Sequence, residues 1–260
     1  MIIKNKQQRK TYKEACHIST QILRELYNML EVGLYPIEVD KRAFELCKKW
    51  DVIPSFYGVQ GKKSKYQHAT CIQINDAVVH GIPSKTDKIK DGDLVTVDFG
   101  IIYEGFYTDH AFTVGIGNVN AEDKRLLKIA KDTVLAAVQL AKVDAMTGDL
   151  GNIMISKAQK NGFDTAKKYV GHGIGKRLHE YPEIPTFGIK NTGMPLRKGM
   201  VLCIEAQLMI GSDELKNDKD NWTVRTKDGS KSVMFEYMVE VGKNGPKILT
   251  DTSKWELVKS

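Results

Sequence analysis

Two apolar runs, Val201-Leu-Cys-Ile-Glu-Ala and Val233-Met-Phe-Glu-Tyr-Met-Val, each carry one acidic residue within them, Glu205 and Glu236. Such runs, rich in β-branched and aromatic residues, read as buried strands. A carboxylate inside one is costly unless it is paired or bound to a metal. The chain must therefore fold so that each glutamate meets either a basic side chain, as in a buried salt bridge, or a cation.

A second stretch bears on the choice. Asp93-Leu-Val-Thr-Val alternates polar and apolar residues as a half-buried strand does, and Phe106 to Gly115 reads as another. Ile101 to Gly105 lies between them, with Gly105 as the turn residue. A symmetric fold-back places Asp98 opposite Asp109. Directly opposed residues have Cβ atoms roughly 5 Å apart. Two ionised carboxylates that close repel unless a cation sits between them. The alternative is one Asp capping a turn and the other solvated.

The rest of the chain alternates helical and strand patterns. Helical stripes run from Thr11 to Glu31, with Gly33 as a stop, and from Val39 to Trp50. A third follows an N-cap at Asn120 as far as Ala141, and a fourth runs from Thr147 to a stop at Gly162. Thr70 to Ile74 and Met200 to Met209 read as strands. Thr223 to Thr226 and Ser232 to Val241 read as a hairpin, and the segment from Lys247 as a last short strand. Loops are expected over 52–69 and 182–198, irregular backbone over 170–180, and an exposed excursion over 213–222. No composition break divides the chain. The expectation is a single α+β domain over 1–260, an antiparallel sheet with helices on one side, and residues 1–10 as a basic N-terminal tail.

Composition excludes several classes. No run is long enough to span a membrane, and no apolar core of a signal peptide follows the basic N-terminus. Cys16, Cys47, Cys71 and Cys203 form no Cys-x-x-Cys pair and fit reduced thiols. A cytoplasmic protein is expected. The net charge of +7 suits either a solvated lysine-rich surface or a transient association with polyanions such as ribosomal RNA. No recognised motif for specific nucleic-acid binding accompanies it.

Three histidines stand in distinctive settings. His80 follows an apolar strand and precedes Gly81. His172 sits in Gly-His-Gly-Ile-Gly, where flanking glycines permit close backbone approach. His179 follows seven residues later, before Glu180. Asp98, Asp109, His172, Glu205 and Glu236 together offer oxygen donors and one imidazole, a set suited to Mn, Fe, Co or Zn.

These pieces, with Val79-His-Gly-Ile-Pro83, Asp98-Phe-Gly and Trp222-Thr-Val-Arg-Thr, resemble type I methionine aminopeptidases, and run in family order from about residue 11 onward. The resemblance is to the short bacterial form. It implies the pita-bread (creatinase/aminopeptidase) fold, a curved antiparallel sheet flanked by helices. It implies removal of N-terminal methionine from nascent chains whose second residue is small. It implies two divalent ions per chain, drawn from Co, Mn, Fe, Zn or Ni. Asp98 would chelate one ion, Asp109 and Glu236 would bridge both, and His172 and Glu205 would complete the other site. His80, His179 and Glu205 would be catalytic. Cys71, Tyr66 and Trp222 would line the methionine pocket beside His80 and His179. The family is mostly monomeric. Ala206 and Tyr237 stand where the family pattern has Pro and His, and the 58–70 loop is longer than the pattern. Proline-directed peptidases share the fold but carry an extra N-terminal domain, and relatives that serve only as binding modules normally lack several of the ligands, all of which are present here.

Overall fold

The computed structural model describes residues 1–259. Helix α1 (Lys6–Met29) and helix α2 (Pro36–Lys49) open the chain. Strands β1 (Ile53–Pro54), β2 (Thr70–Ile74), β3 (Ala77–Val79), β4 (Leu94–Phe99), β5 (Ile101–Tyr103), β6 (Phe106–Tyr107) and β7 (His110–Ile116) follow. Helices α3 (Ala121–Leu140) and α4 (Thr147–Lys160) come next. The second half adds β8 (Asp164–Thr165), β9 (Gly171–Gly173), β10 (Glu180–Ile184), β11 (Val201–Met209), β12 (Leu215–Asn217), β13 (Val224–Thr226), β14 (Ser232–Glu240), β15 (Lys247–Ile248) and β16 (Val258–Lys259).

Two sheets carry the architecture. One runs β16-β7-β4-β2, the other β10-β9-β11-β14-β15 with β8 also on β11. Among the described residues, every pairing between these strands is antiparallel except β16 on β7. The seam between β7 and β14 is closed by a side chain. The Thr113 hydroxyl donates to the Met234 carbonyl at 2.7 Å, and the Met234 amide donates back to it at 2.9 Å. Helix α3 covers one face of the second sheet, while Tyr12, Ala15 and Cys16 at the start of α1 cluster with Val201, Cys203 and Met238 on the other. Leu202, Ile204, Ala206 and Leu208 of β11 pack with Leu127, Ala130 and Val134 of α3 in one large core. By strand alternation Cys203, Glu205 and Gln207 point the other way, and of these Glu205 lines a cavity.

Several expectations need correction. Residues 1–10 are not a tail. Asn5 caps α1, its side chain accepting from the Gln8 amide at 2.9 Å, so the helix starts at Lys6. Ile3 donates to the Gly199 carbonyl at 2.7 Å, and the Met1 amino group lies 2.8 Å from Glu180. The Asp98 hairpin has a different register. Its turn is the two-residue pair Glu104-Gly105, with φ of 51° and 70°, the left-handed geometry that matches strand twist. Asp98 therefore opposes Ala111, and Asp109 lies diagonal to it on the same face. Strand β13 pairs with β12 and β3, not with β14. The 213–222 excursion contains β12, the 170–180 stretch contains β9, and the start of the expected 182–198 loop belongs to β10. The 58–70 loop is a small hydrogen-bonded flap. Gly58 donates to the Tyr66 carbonyl and Tyr66 to the Val59 carbonyl, at 2.8 and 2.9 Å. Buried Asp40 anchors its far end through the Ala69 and Thr70 amides and His68 Nδ1, at 2.8, 3.0 and 2.8 Å.

Candidate metal centre

Four carboxylates converge below the cavity floor. Glu205 and Glu236 face each other directly across β11 and β14. Asp98 on β4 and Asp109, just before β7, reach the same point from the other sheet. Asp98 and Asp109 influence each other there, and the charges of Glu236 and Glu205 bear on Asp109. All four are at least nine-tenths buried. Among the described residues, their one ionic contact is His172 Nε2 to Asp109 Oδ2 at 3.7 Å, so the salt-bridge account of Glu205 and Glu236 fails. Asp98 Oδ1, Asp109 Oδ1 and Glu236 Oε1 have no hydrogen-bond partner.

The electrostatics follow from that crowding. Burial, then the charge of Asp98, pushes Glu205 up to about 8. Burial pushes Asp98 up to about 7, against the opposing effect of neighbouring Asp109. Asp109 is raised by burial and then by Glu236, and Glu236 by burial and then by Glu205. Without a cation the cluster holds protons near neutrality. A divalent ion would replace those protons and occupy the orphaned oxygens, so the residues fit a metal.

The imidazole donor is oriented for the same purpose. His172 Nδ1 lies 3.0 Å from the Gly173 carbonyl, which can only accept. The proton therefore sits on Nδ1 and the Nε2 lone pair faces Asp109. Burial, then His179, lowers the His172 pKa to about 3, so the ring is neutral. The His172 and His179 rings meet edge to face with centroids 4.4 Å apart, and burial lowers His179 as well.

Above the floor lies a cavity of about 560 Å³, lined by Tyr66, Cys71, His80, His179 and Trp222 among others. His80 has φ of 56°, in the left-handed region that a bulky residue rarely adopts. The next residue must be glycine, because a Cβ at Gly81 would collide with the Ile72 carbonyl oxygen. The exposed surface of His80 faces the cavity. Protein crowds its other sides, and that burial, followed by His179, keeps its pKa below the ordinary value. The flap is tied over the cavity by Trp222 Nε1, which donates to Ser64 Oγ at 3.1 Å, and by the Tyr66 and Trp222 rings, 4.9 Å apart. Tyr66 is fixed from behind, its hydroxyl donating to the carbonyls of Thr70 and Gly81 at 2.9 and 3.0 Å.

The structure thus brings every expected residue to one place, and adds others. Gln207 Nε2 donates to Glu205 Oε2. Tyr169 packs edge to face on His80, centroids 5.6 Å apart. Cys203 joins the cluster, its sulfur and one donor atom each from Asp109, His172 and Glu236 lying within 4.8 Å of one another. Cys203 and Gln207 were detectable in principle, since each lies two residues from Glu205 on the same face of a strand. Tyr169 gave no signal. Ala206 and Tyr237 prove to sit on the opposite face, in the helix-covered core.

Comparison with known proteins agrees with this architecture. Residues 10–243 match metallopeptidase family M24. A methionine aminopeptidase of Aquifex aeolicus is 38% identical over 92% of this chain and 94% of its own. One from Clostridium perfringens is 36% identical over 96% and 98%. The crystal structure of methionine aminopeptidase from Thermotoga maritima superposes with a TM-score of 0.91 at 35% identity, covering 96% of this chain and all (100%) of that one. With the match spanning nearly the whole chain and the acidic cluster at its centre, the chain belongs to metallopeptidase family M24.

Proposed function

We propose that this protein removes the N-terminal methionine from nascent proteins and peptides whose second residue is small, using two divalent ions. The observation that carries this reading is the cluster of four buried carboxylates and a neutral imidazole, without a Lys or Arg partner, at the floor of an apolar-walled cavity. Asp98 would hold one ion, His172 and Glu205 the other, and Asp109 and Glu236 both. When bound, such ions act as Lewis acids and bring the pKa of water close to neutrality.

The chain's own residues account for the rest. Gln207 fixes one oxygen of Glu205, which leaves the other to accept a proton during the reaction. Neutral His179 offers an N–H to a carbonyl oxygen that becomes negative. His80, held by its unusual backbone at the cavity wall, contacts the scissile amide region. Tyr66, Cys71 and Trp222 give apolar, polarizable walls that suit a thioether and offer no charge to a basic side chain. The protein acts as a monomer in the cytoplasm, and its net charge of +7 favours transient contact with ribosomal RNA.

The test is metal analysis of the purified protein followed by a peptide panel. Met-Ala-Ser and Met-Gly-Ser should be cut fastest and Met-Phe-Ser or Met-Lys-Ser hardly at all. Preference for Lys-Ala-Ser, or no metal-dependent release of methionine, would overturn the reading.

A further inference from the structure

Cys203 has no role in the function proposed above, yet it is placed among the residues that do. It pairs in register with His172 on β9 and with Met238 on β14, two residues from Glu205 and on the same face of β11. It is fully buried, at 0% exposure. Its sulfur lies 3.7 Å from the carbonyl oxygen of Asp109 and within reach of the Glu236 carboxylate. Asp109, Glu236 and His172 are themselves more than nine-tenths buried, and one oxygen of each of the two acids has no partner. These open donors are the independent sign that something binds here.

The donor set has a chemistry of its own. Two carboxylate oxygens, one imidazole nitrogen and one sulfur are donor types that zinc takes together. The four atoms lie within 4.8 Å of one another. A tetrahedral zinc ion, with bonds of about 2.0–2.3 Å, needs its donors roughly 3.3–3.8 Å apart. The 4.8 Å spread is about 1 Å wider than that spacing. A sulfur ligand favours zinc and cobalt and offers little to manganese, which prefers oxygen.

We propose that Cys203 is a further metal ligand: its sulfur joins Asp109, His172 and Glu236, beside Glu205, in a thiol-containing site that biases this centre towards Zn(II) and Co(II) and away from Mn(II). Binding replaces the thiol proton, which passes to solvent, by a metal–sulfur bond. The inference rests on the proposed metal dependence, and goes beyond it in naming a ligand that the five-residue set lacks.

The test uses Co(II) alone, added to the metal-free full-length protein. Weak visible d–d bands report that cobalt is bound at all. A stronger near-ultraviolet sulfur-to-cobalt charge-transfer band reports a thiolate ligand. We expect both in the wild type and in Cys71→Ser, which controls for the thiol that lines the cavity. Cys203→Ser should keep the visible bands, lose the charge-transfer band and lose preference for Zn(II) over Mn(II) in competition. Visible bands without a charge-transfer band in the wild type would overturn the proposal while leaving the metal centre intact, with Cys203 only a donor to Asp109. Absence of visible bands would overturn the metal centre itself. The deciding spectrum is that of the wild type, so it does not depend on how a variant folds; Cys203→Thr, with a similar volume, provides a second variant.

Discussion

Stripping the metal from this protein should invert the way its stability depends on pH. In the metal-free fold Glu205 is raised from the ordinary 4.5 to about 8, chiefly by burial. The folded chain then binds this proton more tightly than the unfolded chain does. The stabilisation is complete below about pH 4.5 and is lost as pH rises through about 8. Each pH unit well inside that range is worth about 1.4 kcal/mol, so moving from pH 5 to pH 8 removes about 3–4 kcal/mol through Glu205 alone. Asp98, raised to about 7, acts in the same direction. For a chain of this size 1 kcal/mol shifts Tm by about 2–4 °C, so the metal-free Tm should fall by on the order of 10 °C. The metal-loaded protein should behave oppositely, because protons compete with the ion for the same oxygens, and its Tm should rise over this range. Differential scanning calorimetry at fixed ionic strength, with and without a chelator, measures both slopes. A metal-free Tm that is flat or rises between pH 5 and 8 would refute the claim that these carboxylates are buried together without a cation.

Three further outcomes are expected. Asp109→Asn should abolish most turnover and lower metal affinity by more than the roughly 10–100-fold typical of losing an outer-shell partner, while raising the metal-free Tm at pH 8; metal analysis, kinetics and calorimetry check the three effects. His80→Ala and His179→Ala should each lower kcat by on the order of 10²–10⁴ with metal stoichiometry intact, and loss of metal from either would make that histidine a ligand. Gly81→Ala should cost about 1–3 kcal/mol by forcing β3 away from β2, and should reduce kcat/KM because His80 moves with it; an unchanged urea midpoint would show that the close approach to Ile72 is not limiting.

What the sequence revealed depended on the range of the interaction. Glu205 and Glu236 were legible because an acid in an apolar run is a local anomaly, and the Asn120 cap because capping spans only one turn. The hairpin register was missed because it turns on two backbone angles, at Glu104 and Gly105. A shift of that turn moved Asp109 from opposite Asp98 to diagonal, yet left both on one face, so the site survived the error. The partner of β13 was missed because Val224 pairs with Val79, a contact that no local pattern announces. The Asn5 cap was a readable signal, overlooked because the lysines beyond it suggested a solvated tail. Tyr169 was hidden for another reason. A tyrosine in a loop is common, and only the folded chain sets it against His80.

The Thr113 bridge across the seam has a consequence for the order of assembly. Asp98 and Asp109 arrive on one hairpin early in the chain, and Glu205 and Glu236 on another near its end. Neither hairpin holds a complete set of donors. Joining the two requires a long loop to close, which is the slow, entropically costly kind of event in folding. High-affinity metal uptake should therefore begin only when β7 and β14 dock, and its rate in refolding would time that docking. During synthesis the emerging first half would hold two acids and no imidazole ligand, so a ribosome-bound fragment would leave the cell's free metal untouched until the last strands are made.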